Sequence, residues 1–502
     1  MTTNPPARVT LCTEFDRGPI DRRLFGSFVE HMGRCVYGGI YQPDHPRSDG
    51  SGFRTDVADL VSELGVSLVR YPGGNFVSGY RWEDGVGPRE ERPTTLDLAW
   101  RSVETNEVGT DEFLQWAQRL HVKPVVAVNL GTRGAADAAA LVEYCNVAAA
   151  TEYADQRRRN GHPDPYGIKT WCLGNEMDGP WQVGHTTAEQ YAQRAATAGR
   201  AMRMVDPSIE LVVCGSSNRE MPSYARWEQT VLEATHELAD YLSIHAYYDG
   251  QQPQADYLAS GEAMSRYIEE TIATADSVAA RRRSSKKLSI AFDEWNVWTA
   301  PPDDHQTRSG EGIAIRPPLG EDRYQPIDAV VVGDLLISLL NHSDRVRIAC
   351  LSLLVNVSAP ILVRTDGSLL RQTTFHPFAH TARLARGRSL LTSIDGPITS
   401  SDRYGDLPGL GVAATRDGMQ SSIFLCNRTA DALPVEIGIV DRPKQEIETA
   451  VTLVAQQGRL SARAPETPGP SPLAGYSIDG CVTVTLPPQS WSALGLRDAG
   501  AR

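Results

Sequence analysis

From Leu24 onward, short apolar runs alternate with longer amphipathic stretches. The runs Leu24 to Glu30, Ser67 to Tyr71, Pro124 to Asn129, Thr170 to Leu173, Leu211 to Gly215, Leu242 to Tyr247, Leu288 to Phe292 and Ile348 to Leu354 are candidate strands. Each is about 4 to 8 residues long, and many stop at Gly, Asn or another turn former. Between them, Thr55 to Leu64, Asp111 to Leu120, Ala135 to Ala150, Thr187 to Met204, Ser223 to Ala234, Gly261 to Arg282 and Ile327 to Leu340 repeat apolar residues at helical spacing, and an eighth helix is expected around Pro377 to Leu384. Several open on Thr, Asp or Ser, which cap helix N-termini, and Ala135 to Ala150 favours helix by propensity. Runs apolar on both faces, such as Val125-Val-Ala-Val128, fit parallel strands covered by helices. The pattern predicts an α/β fold, a (β/α)₈ barrel with insertions rather than a doubly wound open sheet.

Past Ser389 the texture changes to short strands broken by Gly, Pro and Asp: Leu410 to Thr415, Ser422 to Cys426, Val435 to Ile439, Ala450 to Val454, Val482 to Leu486 and Trp491 to Leu496. That is the pattern of an antiparallel β-sandwich, jelly-roll-like in arrangement. The strand Arg8 to Phe15 has no role left in the barrel and is expected to join this sandwich. The expected domains are therefore a catalytic barrel over 18–387 and a β-sandwich made of 1–17 plus 388–502. Two connections, Val77 to Gly109 and Thr299 to Gln325, exceed the roughly 12 to 15 residues beyond which loops are usually functional, and both leave C-terminal strand ends. They carry Trp82 and Trp100, with Trp298 just ahead of the second, rings suited to stacking on the apolar face of a sugar.

Composition narrows the partners. The 502 residues carry a formal net charge of −13, against the basic footprint that nucleic acid or an anionic membrane demands. No run approaches the roughly 18 apolar residues of a membrane span, and the N-terminal residues lack a basic region followed by an apolar core, so a cytoplasmic location is expected. The 8 cysteines are scattered without a CxxC pair and read as structural thiols. The expected partner is a small, neutral molecule.

The strand ends concentrate chemistry: Glu30, Arg70 with Asn75, Asn129, Asn175 with Glu176, Asn218, His245 with Tyr247, Glu294, and Leu353 with Asn356. No phosphate loop, HExxH pair or Gly-x-Ser-x-Gly elbow is present. Gly409-Leu-Gly-Val-Ala-Ala414 fits a dinucleotide fingerprint in letters only, since no helix follows it, and neither cofactor nor metal is expected. Two carboxylates among polar and aromatic groups are the equipment for glycoside hydrolysis. Glu294 faces a candidate cation, Arg70, and a phenol, Tyr247, which would keep it ionised as a nucleophile. Glu176 is expected in an apolar setting of Trp171, Met177 and Trp181, which would suit a general acid. A gap of about 5 to 5.5 Å between the two carboxyls implies retention, and about 6.5 to 9.5 Å inversion.

Seven stretches carry a family resemblance: Gly26-Ser-Phe-Val-Glu-His31, Gly33-Arg-Cys-Val-Tyr-Gly-Gly-Ile-Tyr41, Val69-Arg-Tyr-Pro-Gly-Gly-Asn-Phe76, Cys172-Leu-Gly-Asn-Glu-Met-Asp-Gly-Pro-Trp181, Val213-Cys-Gly-Ser-Ser217, Ser243-Ile-His-Ala-Tyr-Tyr248 and Phe292-Asp-Glu-Trp-Asn-Val-Trp298. In order and over nearly the whole chain, they resemble the α-L-arabinofuranosidases of glycoside hydrolase family 51, within clan A. The resemblance implies a barrel with a β-sandwich, a retaining exo-acting reaction, Glu176 as acid/base and Glu294 as nucleophile. It implies that Glu30, Asn75 and Asn175 bind sugar hydroxyls, and that Arg70, His245 and Tyr247 position the carboxylates. Tyr247 is also expected to touch the sugar, as are the rings of Trp100 and Trp298. It further implies a metal-free, intracellular and often hexameric protein.

One position departs from the pattern. Where the family commonly has a glutamine that reaches the furanose, this chain has Leu353. A missing amide shifts discrimination between sugars, so an L-arabinofuranoside leads, with D-galactofuranose as runner-up. An endo-glucanase or xylanase on the same barrel needs an open groove that the two long connections argue against. A non-catalytic sugar-binding protein leaves the paired carboxylates unexplained.

Overall fold

The structure is a computed structural model that describes residues 6–299, 313–442, 444–455, 467–478 and 481–499. Eight strands, Gly26–Phe28, Leu68–Tyr71, Lys123–Val128, Thr170–Leu173, Glu210–Cys214, Tyr241–Asp249, Ser289–Trp298 and Val346–Leu351, pair in parallel in chain order, and the last pairs with the first to close a barrel. The helices Thr55–Leu64, Thr110–Arg119, Ala135–Asn146, Ala188–Val205, Arg226–Thr235, Ser260–Arg281, Pro326–Asn341 and Phe375–Leu384 follow the strands in turn. Each predicted barrel strand and helix is present, with ends moved by a few residues. The short helix Glu152–Arg159 is an addition. No helix among the described residues is long and apolar enough to cross a membrane.

The β domain is one ten-stranded sheet, antiparallel except where Ala7–Leu11 runs parallel to Val435–Ile439. The N-terminal strand Ala7–Pro19 lies inside this sheet, between Arg388–Asp395 and Leu433–Ile439. The sheet curls until its ends meet, Gly475 lying against the Ile447 side chain. One face encloses a second core of Val9, Leu11, Leu390, Val412, Ile423, Val435 and Leu494, and the other adds Phe424, Leu453 and Trp491 to the barrel's core.

The helix Pro326–Asn341 is buried along almost its whole length because it is covered by the barrel on one side and the sheet on the other. An all-round apolar sequence is what such a position demands. Of its two buried aspartates, Asp334 meets Arg428 of the β domain in a fork, Nε to Oδ2 and Nη2 to Oδ1, both at 2.9 Å, while Arg428 Nη1 donates to the Pro408 carbonyl at 2.7 Å. The two long connections also join. Thr95–Asp97 and Ser102–Glu104 pair antiparallel, and Ala314–Ile315 adds in parallel to Ser102–Glu104, so the loops after the second and seventh strands share one small sheet over the C-terminal face. Residues 300–312 of the second connection lie outside the described residues.

Removing one partner of a buried ion pair leaves an uncompensated charge, at a cost of about 3 to 5 kcal/mol. Arg428→Ala should lower unfolding stability by about that much in a urea titration. The double replacement Asp334→Leu with Arg428→Met should recover most of the loss, and equal losses in both would contradict the assignment.

Candidate active site

Two backbone turns bring the strand ends together. After the second strand, Pro72-Gly73-Gly74 runs under the carboxylates so closely that a Cβ on Gly74 would stand 2.8 Å from Glu294 Oε1 and 3.3 Å from Asn175 Nδ2. After the fourth, the chain turns left-handed at Gly174 (φ +87°) and again at Glu176 (φ +44°). Such a φ is costly for a residue with a Cβ and persists only where neighbours hold it. They do so through Gly179 N to the Glu176 carbonyl at 2.8 Å, Thr186 N to the Met177 carbonyl at 3.0 Å, and Ser217 N to the Asp178 carboxylate at 3.1 and 3.3 Å. The last contact ties the turn to the loop after the fifth strand. Burial, opposed by Ser217 and aided by the charge of Glu176, pushes the Asp178 pKa up to about 6.

The seventh strand carries an irregularity. Its register against the sixth shifts between Ala291 and Glu294, and against the eighth between Phe292 and Trp295. Alternation would send successive side chains to opposite faces, but a bulge breaks it. Here Asp293 and Glu294 both meet Arg70, whose Nε lies 3.1 Å from Asp293 Oδ2 and whose Nη1 donates to Glu294 Oε1 at 2.6 Å. Nη2 donates to Asn175 Oδ1 at 2.7 Å, and the guanidinium carbon stands 4.7 Å from the centre of the Phe28 ring. Asp293 also accepts from Ser243 Oγ at 2.5 Å. Burial would raise the Asp293 pKa, yet Arg70 and His245 hold it down at about 2.

His245 sits between the two glutamates, its Nδ1 2.9 Å from Glu176 Oε1 and 3.7 Å from Glu294 Oε2. Glu294 Oε2 accepts from the Tyr247 hydroxyl at 2.7 Å, and Glu176 Oε2 from the Trp181 indole N–H at 2.6 Å. Glu176 Oε1 or Oε2, His245 and Glu294 offer atoms that all lie within 4.8 Å of one another, a donor set able to hold a divalent ion. Arg70 and the imidazolium already supply the positive charge that a metal would bring. Glu30, across the turn, accepts at Oε1 from Phe76 N at 2.9 Å and Trp100 Nε1 at 3.0 Å. Burial and the charge of Glu294 push its pKa up to about 8, against those two donors, so it holds a proton at neutral pH.

Arg70, Asn175, Glu176, His245, Tyr247 and Glu294 thus form one cluster of hydrogen bonds and ion pairs, and Glu30 and Trp100 are bonded to each other beside it. Trp298 stacks on Tyr247 with centroids 4.2 Å apart. Asn75 is half-buried beside the glycine turn, and its side-chain amide makes no hydrogen bond among the described residues. Leu353 is buried between Ser352, whose hydroxyl lies 2.8 Å from that of Tyr247, and Leu354, whose N–H bonds the Phe28 carbonyl. Other strand-end residues are structural. Asn129 caps the Gly131–Thr132 turn, Asn356 ties down the Arg34 and Val363 backbones, and Trp82 packs on Tyr144 and Tyr153 away from the site. The apolar setting expected for Glu176 is not found: Trp171 turns its N–H to the Ile168 carbonyl, and Trp181 and His245 give Glu176 polar partners.

Two family models match the chain, "Alpha-L-arabinofuranosidase 1 domain" over residues 60–266 and "Alpha-L-arabinofuranosidase C-terminal domain" over 293–490. An intracellular exo-α-(1→5)-L-arabinofuranosidase of Streptomyces lividans is 46% identical, covering 98% of this chain and 75% of its own. An exo-α-(1→6)-L-arabinofuranosidase of Bifidobacterium longum is 45% identical, covering 98% and 97%. Among solved structures, a family 51 α-L-arabinofuranosidase from Bifidobacterium longum superposes with a TM-score of 0.94 at 44% identity, over 98% of this chain and 100% of that one.

Burial alone would strip the proton from His245, but Glu294, Asp293 and Glu176 hold it and push the pKa up to about 10 from the ordinary 6.5. The stability gained is complete below pH 6.5 and is lost as pH rises toward 10. Imidazole ¹⁵N spectra should show His245 doubly protonated at about pH 8. His245→Asn should flatten the alkaline fall in stability, and an unchanged slope would contradict the assignment.

Proposed function

The chain belongs to the α-L-arabinofuranosidases of glycoside hydrolase family 51, and from that premise we propose that Glu176 and Glu294 are the acid/base and the nucleophile of a retaining, exo-acting hydrolase. It releases terminal non-reducing α-L-arabinofuranosyl residues from oligosaccharides. The observation that carries this reading is the pair of glutamates bridged by His245, with one carboxylate oxygen of each within 4.8 Å of the other, a close-set pair of the kind that retention uses.

The chemistry follows from the contacts. Glu294, fixed at one oxygen by Arg70 and at the other by Tyr247, attacks the anomeric carbon. The glycosidic C–O bond breaks, its electron pair goes to the leaving oxygen, and that oxygen takes the proton of Glu176. Glu176 then removes a proton from water, which attacks the same carbon, frees Glu294 and restores the acid. The Asn175 amide, its oxygen held by Arg70, presents its nitrogen to the 2-hydroxyl, and Glu30 with its proton donates to a second hydroxyl. Asn75, Trp100 and Trp298 complete the furanose walls.

The linkage rests on this chain's own residues, because relatives of nearly equal identity are named for α-(1→5) and α-(1→6) cleavage. An intracellular place of action is supported by the relative named so, and a homo-oligomer, a hexamer, by family resemblance. With this reading goes a division of the chain into a catalytic barrel over 18–387 and a β-sandwich of 1–17 plus 388–502.

Glu294→Ala should cut turnover of p-nitrophenyl α-L-arabinofuranoside by roughly 10⁴-fold or more with the fold intact by circular dichroism. Proton NMR of the first-formed arabinose should show the substrate's anomeric configuration, and the opposite anomer would sink the nucleophile role. Leu353→Gln should change the kcat/KM ratio between p-nitrophenyl α-L-arabinofuranoside and β-D-galactofuranoside by about 10-fold, the effect of one buried hydrogen bond. An unchanged ratio would take Leu353 out of the sugar subsite.

A further inference from the structure

The β domain sends one hairpin out of its sheet. Ile398–Ser401 and Gly405–Pro408 pair only with each other among the described strands, and their tip reaches the barrel. There Arg403 N donates to Asp256 Oδ1 at 3.1 Å, Arg403 Nη2 to Glu220 Oε1 at 2.7 Å, and Arg266 Nη1 to the Tyr404 carbonyl at 3.2 Å. The tip is thereby fastened beside the loop after the fifth barrel strand. Between hairpin and barrel lie two adjoining cavities of about 110 and 220 Å³ that share Glu220, Arg403 and Tyr404.

We propose that these cavities bind the leaving-group portion of the substrate, taking neutral sugar units beyond the one joined to the scissile bond. The inference rests on the reading of the site as a glycosidase. Three observations support it. The smaller cavity is walled by Asn218 and Tyr247. Tyr247 bonds the nucleophile, and Asn218 follows Ser217, whose N–H holds Asp178 on the turn of the acid Glu176. The leaving oxygen takes its proton from that acid, so the departing chain lies on this side.

Secondly, the lining offers unused hydrogen-bonding groups. The Asn218 amide nitrogen, the Gln252 side-chain amide and the Tyr404 hydroxyl make no hydrogen bond among the described residues, and the Arg403 guanidinium is already oriented by Glu220. Amides, a phenol and a planar guanidinium match the mixed donors and acceptors of sugar hydroxyls. Thirdly, charge excludes an anionic ligand. Arg219, Arg266 and Arg403 are each paired, with Glu270, Glu262 and Glu220, so no net positive charge is left to recognise phosphate or uronate.

The test is a chain-length series. Wild-type protein is assayed on p-nitrophenyl α-L-arabinofuranoside, on linear α-(1→5)-arabino-oligosaccharides of increasing length, and on arabinosylated xylo-oligosaccharides of increasing length. Gln252→Ala and Tyr404→Phe keep every contact that fastens the hairpin, and Arg403→Ala removes one. The expected result is a kcat/KM that rises with chain length in at least one series. In the variants that rise flattens, with about a 10-fold loss on the longest substrate and less than a 2-fold change on the aryl glycoside. No rise in either wild-type series, or an equal loss on aryl and oligomeric substrates, overturns the inference while leaving the hydrolase reading intact. Absence of any hydrolysis of the aryl arabinofuranoside overturns that reading itself.

Discussion

A fully buried guanidinium must be paired on all sides or it is ruinous to the fold, and Arg70 is the point where this chain meets that demand. Asp293 and Glu294 of the seventh strand, Asn175 of the turn after the fourth and the ring of Phe28 on the first all converge on it. One cation therefore fixes the relative position of four barrel elements. The glycine turn after the second strand has to be thin because Glu294, held by Arg70, and Glu30 lie directly against it. Catalytic geometry is in this sense a by-product of neutralising a buried charge.

The same bookkeeping explains the division of protons in the site. Asp293 has two cationic neighbours and stays ionised, whereas Glu30 has only neutral donors and a nearby carboxylate, and keeps its proton. Two acids a few residues from the same centre thus become an acceptor and a donor through their surroundings alone. The imidazolium of His245 completes the set by bonding Glu176 at 2.9 Å and lying, more loosely, 3.5 Å from Asp293 and 3.7 Å from Glu294.

Much of this was legible in the sequence. Apolar runs bounded by turn formers placed the barrel strands, and the polar residues at their ends included the cluster that the fold brings together. Four things were not. Asp293 escaped notice because strand alternation points it away from Glu294, and only the bulge, which has no signature in residue type, turns both inward. Trp181 read as apolar bulk, but its N–H is a contact of Glu176, and the orientation of an indole is set by packing that no local pattern encodes. Asn129 and Asn356 read like their neighbours at the strand ends yet serve the backbone, since an amide suits a turn as well as a ligand. The strand Arg388–Asp395 and the hairpin after it went unseen because their exposed polar residues give no clean alternation.

The placement of the first strand has a consequence for how the protein is made. Ala7–Leu11 finds its parallel partner in Val435–Ile439, so a ribosome has to add more than four hundred residues before that pairing can form. At about 5 to 20 residues per second this is roughly 20 to 90 s of synthesis. Until Arg388–Asp395 follows, Val9 and Leu11, core residues of the finished sheet, travel on a nascent chain with both strand edges open. The barrel can close while this strand is still unpaired, and the residues after the barrel decide whether it is shielded or becomes a nucleus for aggregation.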